Sequence, residues 1–223
     1  MLAKLITDST PGDVFHNRRT FYQIDMYYRF KICVCDENNN KNLAKWDQTQ
    51  VMNLEKQVNS DLQKFTHPRT HHPTSQEEFY GNLKIWTKNV GKPTGLCDPY
   101  SAENNKAIVG DYNVIWVFPK DSPNSSKAEG KYREIRIDED HVKDDLAHEL
   151  GHTIGYNHPP DYKSFEKDIM VQRTKAHPNP LQNESHLDYM FAVFRFLNGD
   201  TKHSNLVDFS VIKKVDFAPK DFK

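Results

Sequence analysis

An α+β domain is the architecture that this chain's patterning predicts, and three observations carry it. Tyr22 to Cys35 alternates between apolar and polar positions, the period of a strand. Apolar residues recur every three or four positions in three later stretches, about 43–65, 139–155 and 186–198, the period of a helix. The order strand, helix, several strands, helix, loop, helix is that of an α+β arrangement.

Each element has its own warrant. Residues 1–20 carry Gly, Pro, Asp and paired arginines, and read as an irregular lead segment. In the first strand Ile24, Met26, Tyr28, Phe30, Ile32 and Val34 share one face, with Gln23, Asp25, Arg29 and Lys31 on the other, so a half-buried strand is expected. Val51, Leu54, Val58, Leu62 and Phe65 make the stripe of the first helix. His67 to Ser75 holds three histidines and two prolines and reads as a loop, a solvated one rather than a second metal site at His67, His71 and His72. Strand-like runs follow at 82–90, 112–118 and 132–137, the last two separated by a Ser/Asn/Gly-rich loop at 121–130. Val142, Leu146, Leu150 and Ile154 stripe the second helix. In the third, Leu187, Met190, Phe191 and Phe194 form the expected core face, Ser185 and Asp188 suit a capping box, and Asn198-Gly199 suits its stop.

Bulk composition narrows the functional classes. With 223 residues the chain fits one compact domain, or two small lobes around a cleft. Thirty basic residues balance 31 acidic ones without a Lys/Arg-rich block, so no nucleic-acid partner is expected. The longest apolar runs are a handful of residues, far short of a membrane span. Three cysteines cannot all pair within one chain. Cys33 and Cys35 sit two apart, Cys97 stands alone, and a bridge from Cys97 to either is left open beside buried thiols.

The chemistry is concentrated at 148–158, His-Glu-Leu-Gly-His-Thr-Ile-Gly-Tyr-Asn-His. At 100° per residue His148 and His152 stack one turn apart with Glu149 beside them, opposite the apolar stripe. Two imidazoles at that spacing can chelate one zinc ion. Gly155 permits a left-handed backbone and a sharp turn, so the chain can fold back and bring His158 to the same ion, while Pro159 and Pro160 keep the helix from resuming. Requiring a Gly and a His at two further fixed positions lowers the chance rate of a bare His-Glu-x-x-His to about 1 in 500 of its value, given 9 Gly and 11 His in the chain. Three nitrogen ligands leave a fourth position open, as catalytic sites do and structural sites do not.

These residues resemble the zinc signature of the metzincin peptidases, which place a methionine turn downstream. Asp168-Ile169-Met170 looks like that turn. The likeness extends over about 21–200, and 148–158 is its specific part. It implies a twisted, mainly parallel sheet with an antiparallel edge strand, a backing helix, an active-site helix and a C-terminal helix, in two lobes around a cleft. The lobes would be 21–158 and 159–223, after the lead segment 1–20. Pro159 resembles the serralysins, and the short span from His158 to Met170 resembles the matrixins. Gln172 stands where serralysins and astacins carry a tyrosine, so that tyrosine's role is not carried over and the subfamily is left unassigned.

What the resemblance implies is a zinc endopeptidase acting on protein or peptide substrates, with one catalytic zinc on His148, His152 and His158. Glu149 would be general base and acid, and Met170 the floor beneath the metal. Nothing assigns a structural calcium or a second zinc. The substrate would lie antiparallel to an edge strand, either 113–118 or 132–137. No further donor is assigned, although Tyr156 and Tyr162 are nearby in sequence. A monomer and an extracellular location are expected, although Met1 to Thr10 lacks the apolar core of a secretory signal. Asn124 and Asn183 begin glycosylation sequons. Pro11-Gly12-Asp13, ahead of Arg18-Arg19, resembles the Gly-Asp of astacin prosegments, which makes Asp13 a candidate latency residue; Thr10 stands where astacins have an aromatic. A protease with one narrow target and a non-proteolytic zinc-binding scaffold are the alternatives.

Overall fold

A computed structural model of the chain describes residues 1–10, 19–35, 48–72, 79–91, 96–97, 112–119, 127–129, 133–159, 168–171, 186–200 and 204–222. Asp13, Tyr162, both sequons and the capping position Ser185 lie outside the described residues. The architecture is α+β, with a mixed sheet and three α-helices among those residues. The chain divides into two compact units. One comprises Met1, Tyr28–Gln63 and Thr87–Gly155, and the other Leu2–Tyr27, Lys64–Trp86 and Tyr156–Lys223.

In the first unit the sheet is mainly parallel. The second half of β2 (Arg19–Cys35) pairs in parallel with β6 (Asn113–Phe118), from Phe30↔Asn113 to Val34↔Val117. β6 pairs in parallel with β8 (Glu134–Asp138), and β7 (Lys127–Glu129) lies antiparallel on the far side of β8. On the other side of β2, β5 (Leu96–Cys97) pairs in parallel, setting Cys35 opposite Cys97 in register. Every residue of β6 is buried, as expected for a parallel strand covered on both faces. One of those faces packs Cys33, Cys35, Val114, Trp116 and Phe118 together, with Tyr112 against them.

This layering corrects two expectations. β2 is not half-buried: Ile24 to Tyr28 and Ile32 to Cys35 are buried without a break, so its alternation sorts residues between two packed faces. Neither 113–118 nor 132–137 is an edge, because β6 runs between β2 and β8, and β8 between β6 and β7. On this side of the sheet the edge strand is β7, inside the stretch predicted to be a loop.

Two helices belong to this unit. α1 (Gln48–Gln63) buries Val51, Leu54, Val58 and Leu62 along the predicted stripe. It also buries Asp61, whose two carboxylate oxygens each lie 3.0 Å from the Gln57 amide. α2 (Val142–Thr153) packs on α1, β8 and β7 through Leu146, Ala147 and Leu150. It starts later than predicted because the Asp138 carboxylate takes the backbone N–H of His141 at 2.9 Å, halting the strand and opening the first turn.

The second unit holds antiparallel pairs. β1 (Leu2–Thr10) runs against β2 from Leu2↔Tyr27 to Thr10↔Arg19, so the lead segment is a strand where the sequence predicts irregular chain. β3 (His67–His72) pairs antiparallel with β4 (Phe79–Asn89), again where a loop is predicted. Both owe their form to a partner strand, which outweighs weak local propensity. β9 (Lys213–Lys214) pairs in parallel with β1.

α3 (His186–Leu197) packs on β1 and β3. Its buried face is Tyr189, Met190, Val193 and Leu197; Phe191 and Phe194 sit at its margin, half-buried, rather than at its centre. The predicted stop is observed. Gly199 adopts φ 88°, its N–H reaches the Phe196 carbonyl at 3.0 Å, and the Asp200 N–H reaches that of Arg195 at 3.0 Å, the paired bonds of a Schellman cap.

Candidate metal centre

The centre is built on the polar face of α2. Leu146 and Leu150 are fully buried and anchor the opposite face. That leaves His148 and His152 stacked one turn apart, ring centroids 4.9 Å from each other and planes at 89°. Both are buried, each 8% exposed, and Glu149 between them is half-buried.

The helix ends as the sequence predicts. Gly155 takes φ 96°, in the left-handed region, and its N–H closes on the His152 carbonyl at 3.0 Å. The chain then leaves in a new direction and is held at once. Tyr156 bridges antiparallel to Val207, and the Asn157 N–H reaches the Leu206 carbonyl at 3.0 Å. The Tyr156 ring is buried between Tyr189, at a centroid distance of 3.5 Å, and Phe65, at 5.2 Å. Tyr156 is thus packed in the core.

The outcome is convergence. The ligand atoms of His148, His152 and His158 all lie within 4.8 Å of one another. Tetrahedral coordination with metal–nitrogen bonds near 2.0–2.1 Å needs nitrogens roughly 3.3 Å apart, a separation inside the 4.8 Å within which these atoms lie. Burial lowers the pKa of His158, which favours the neutral ring that ligates. Among the described residues no thiol or carboxylate joins the group, so the donor set is three imidazoles, able to hold a metal ion with a position to spare.

Met170 is fully buried in a tight turn. The Asp168 carboxylate, itself buried, accepts the Met170 N–H at 2.7 Å, and the Val171 N–H returns to the Asp168 carbonyl at 3.1 Å. Cys33 and Cys35 are buried thiols without a disulfide.

One feature of the surroundings is hidden in the sequence. Thr153, the last residue of α2, lies with its hydroxyl 3.2 Å from that of Tyr28 and 2.7 Å from the Leu150 carbonyl. Burial raises the Tyr28 phenol to about 12, so it stays protonated at neutral pH. In sequence Tyr28 is one apolar position among six, and the alternation does not mark its hydroxyl as a partner of Thr153.

No helix among the described residues is long and apolar enough to cross a membrane. Comparison with protein-family models finds no match, and comparison with curated proteins finds none.

Proposed function

We propose that this chain is a zinc-dependent endopeptidase of the metzincin kind. The observation that carries the reading is the convergence of His148, His152 and His158 across a turn made by Gly155 at φ 96°. His148, His152 and His158 would hold a zinc ion, which when bound would supply Lewis acidity towards a carbonyl and a water of lowered pKa. The chain's own groups do the rest. The three histidines act as neutral ligands, held by burial on one side and by the Tyr156 stack on the other. Glu149, adjacent to His148, takes the proton of the attacking water and delivers it to the departing amine, so one carboxylate serves both halves of the reaction. Met170, in its Asp168-braced turn, would serve as the floor of the metal site that the metzincin reading calls for.

Substrate recognition follows from the corrected strand order. β7 is the edge strand beyond β8, and α2 packs against it. An extended peptide adding to β7 would gain backbone hydrogen bonds while running past the metal helix.

Digestion of an unstructured protein such as casein tests the reading. Cleavage should occur with the zinc-loaded protein, stop with a chelator and return on adding zinc. Full zinc occupancy without cleavage of any peptide would assign the site to binding alone. Zinc retained at full stoichiometry in the His152→Ala, His158→Ala double variant would refute the ligand set.

A further inference from the structure

We propose that Tyr28 is a positioning residue for the metal centre, holding the last turn of α2 through Thr153 so that His152 keeps its place against His148 and the chain enters the Gly155 turn at a fixed angle. The inference rests on the zinc reading above.

Chemistry sets the direction of each bond. Thr153 has one hydroxyl proton, and the Leu150 carbonyl at 2.7 Å can only accept it. The Tyr28 hydroxyl, 3.2 Å away, therefore donates to the Thr153 oxygen. The Asn113 side chain is the other hydrogen-bond partner of the phenol. All three side chains are buried, so no water takes over a bond that is lost.

Placement gives the cluster its leverage. Tyr28 and Asn113 stand on neighbouring strands whose register is fixed by the Phe30↔Asn113 pair. Thr153 follows His152 directly in the chain. At this point the helix tightens, with the Ile154 N–H shared between Leu150 at 3.3 Å and Gly151 at 3.1 Å. A threonine bonding back to its own helix loosens and bends it. The Tyr28 hydroxyl clamps that bend from the sheet. Phenylalanine would fill the same volume, so the hydroxyl is there for its hydrogen bond.

The test compares the full chain with Tyr28→Phe, Thr153→Val and Thr153→Ser. The readouts are zinc affinity by competition with a chromophoric chelator, the absorption spectrum of the cobalt-substituted protein, and the unfolding temperature of the metal-free protein. Ile115→Val, a buried change in β6, is the control for plain loss of stability. Tyr28→Phe and Thr153→Val should weaken zinc binding about tenfold and alter the cobalt spectrum, as loss of a supporting partner does. Thr153→Ser should stay near wild type, and Ile115→Val should lower the unfolding temperature alone. Wild-type zinc affinity and an unchanged cobalt spectrum in both Tyr28→Phe and Thr153→Val would overturn the proposal, as would an equal affinity loss in Ile115→Val. Should Tyr28→Phe fail to fold, the contrast between Thr153→Val and Thr153→Ser decides. A wild-type chain that binds no zinc would sink the metal reading and this inference with it; wild-type binding with no effect of Tyr28→Phe or Thr153→Val overturns this inference alone.

Discussion

Tyr156 lies flat on Tyr189, ring centroids 3.5 Å apart and planes 11° from parallel. The pair links the residue that follows the Gly155 turn to the buried face of α3, and His158 comes two residues later. Tyr189 is itself tied at its far end, its hydroxyl 3.7 Å from the Met26 sulfur. The returning segment is therefore anchored before the third imidazole is reached.

Tyr156→Phe should keep both fold and metal, since the stack survives. Tyr156→Ala should cost about 3–5 kcal/mol of stability, as removal of a large buried ring does. It should also weaken zinc binding through His158 alone, leaving the pair on α2. Denaturant unfolding and the cobalt spectrum check this. A Tyr156→Ala protein with wild-type stability and a three-nitrogen spectrum would refute the anchoring role.

Gly155→Ala and Gly199→Ala form a matched pair. Both glycines have positive φ, 96° and 88°, and a methyl group at Gly199 would meet nothing within 4 Å. Each variant should lose roughly 1–2 kcal/mol to backbone strain. Only Gly155→Ala should also weaken zinc binding, because only that turn delivers a ligand. Equal zinc affinities in the two variants would count against the turn's role.

Glu149→Ala should reduce peptide hydrolysis by at least about 10²-fold, the usual cost of losing a general base. Zinc content and unfolding temperature should stay close to wild type, since Glu149 is outside the three-histidine group. Turnover at the wild-type rate in this variant would remove Glu149 from the chemistry.

Met170→Leu conserves volume in a buried turn and should cost less than about 1.5 kcal/mol. Asp168→Ala takes away the acceptor of the Met170 N–H and should cost about 1–3 kcal/mol, more than the change at the methionine itself. Thermal unfolding ranks the two. The reverse order would mean that side-chain packing, rather than the carboxylate brace, holds the turn.

How much of this was legible before the structure depends on the range of the forces involved. The three helices and the ligand turn are local. The stripes of α1 and α2, with Gly155 and Gly199, lie within a few residues of what they determine, and they read correctly. β1 and β3 were not legible, because each exists through pairing with a strand elsewhere in the chain. Strand order is less local still, which is why 113–118 and 132–137 were both candidates for an edge that β7 occupies. The core face of α3 rotated by about one residue because Tyr189 found a ring to stack on, something no periodicity encodes. Tyr28 looked like any apolar position of β2 until Thr153 was placed 3.2 Å from its hydroxyl.

β7 is three residues long and, among the described residues, pairs with β8 alone. An edge that short offers few backbone hydrogen bonds, each worth about 1 kcal/mol net. A second copy of the chain stacking there would gain little, so this short edge carries a low risk of fibre-like self-association. The same brevity makes any chain that pairs with it a transient guest, held long enough to be aligned and let go without a large barrier.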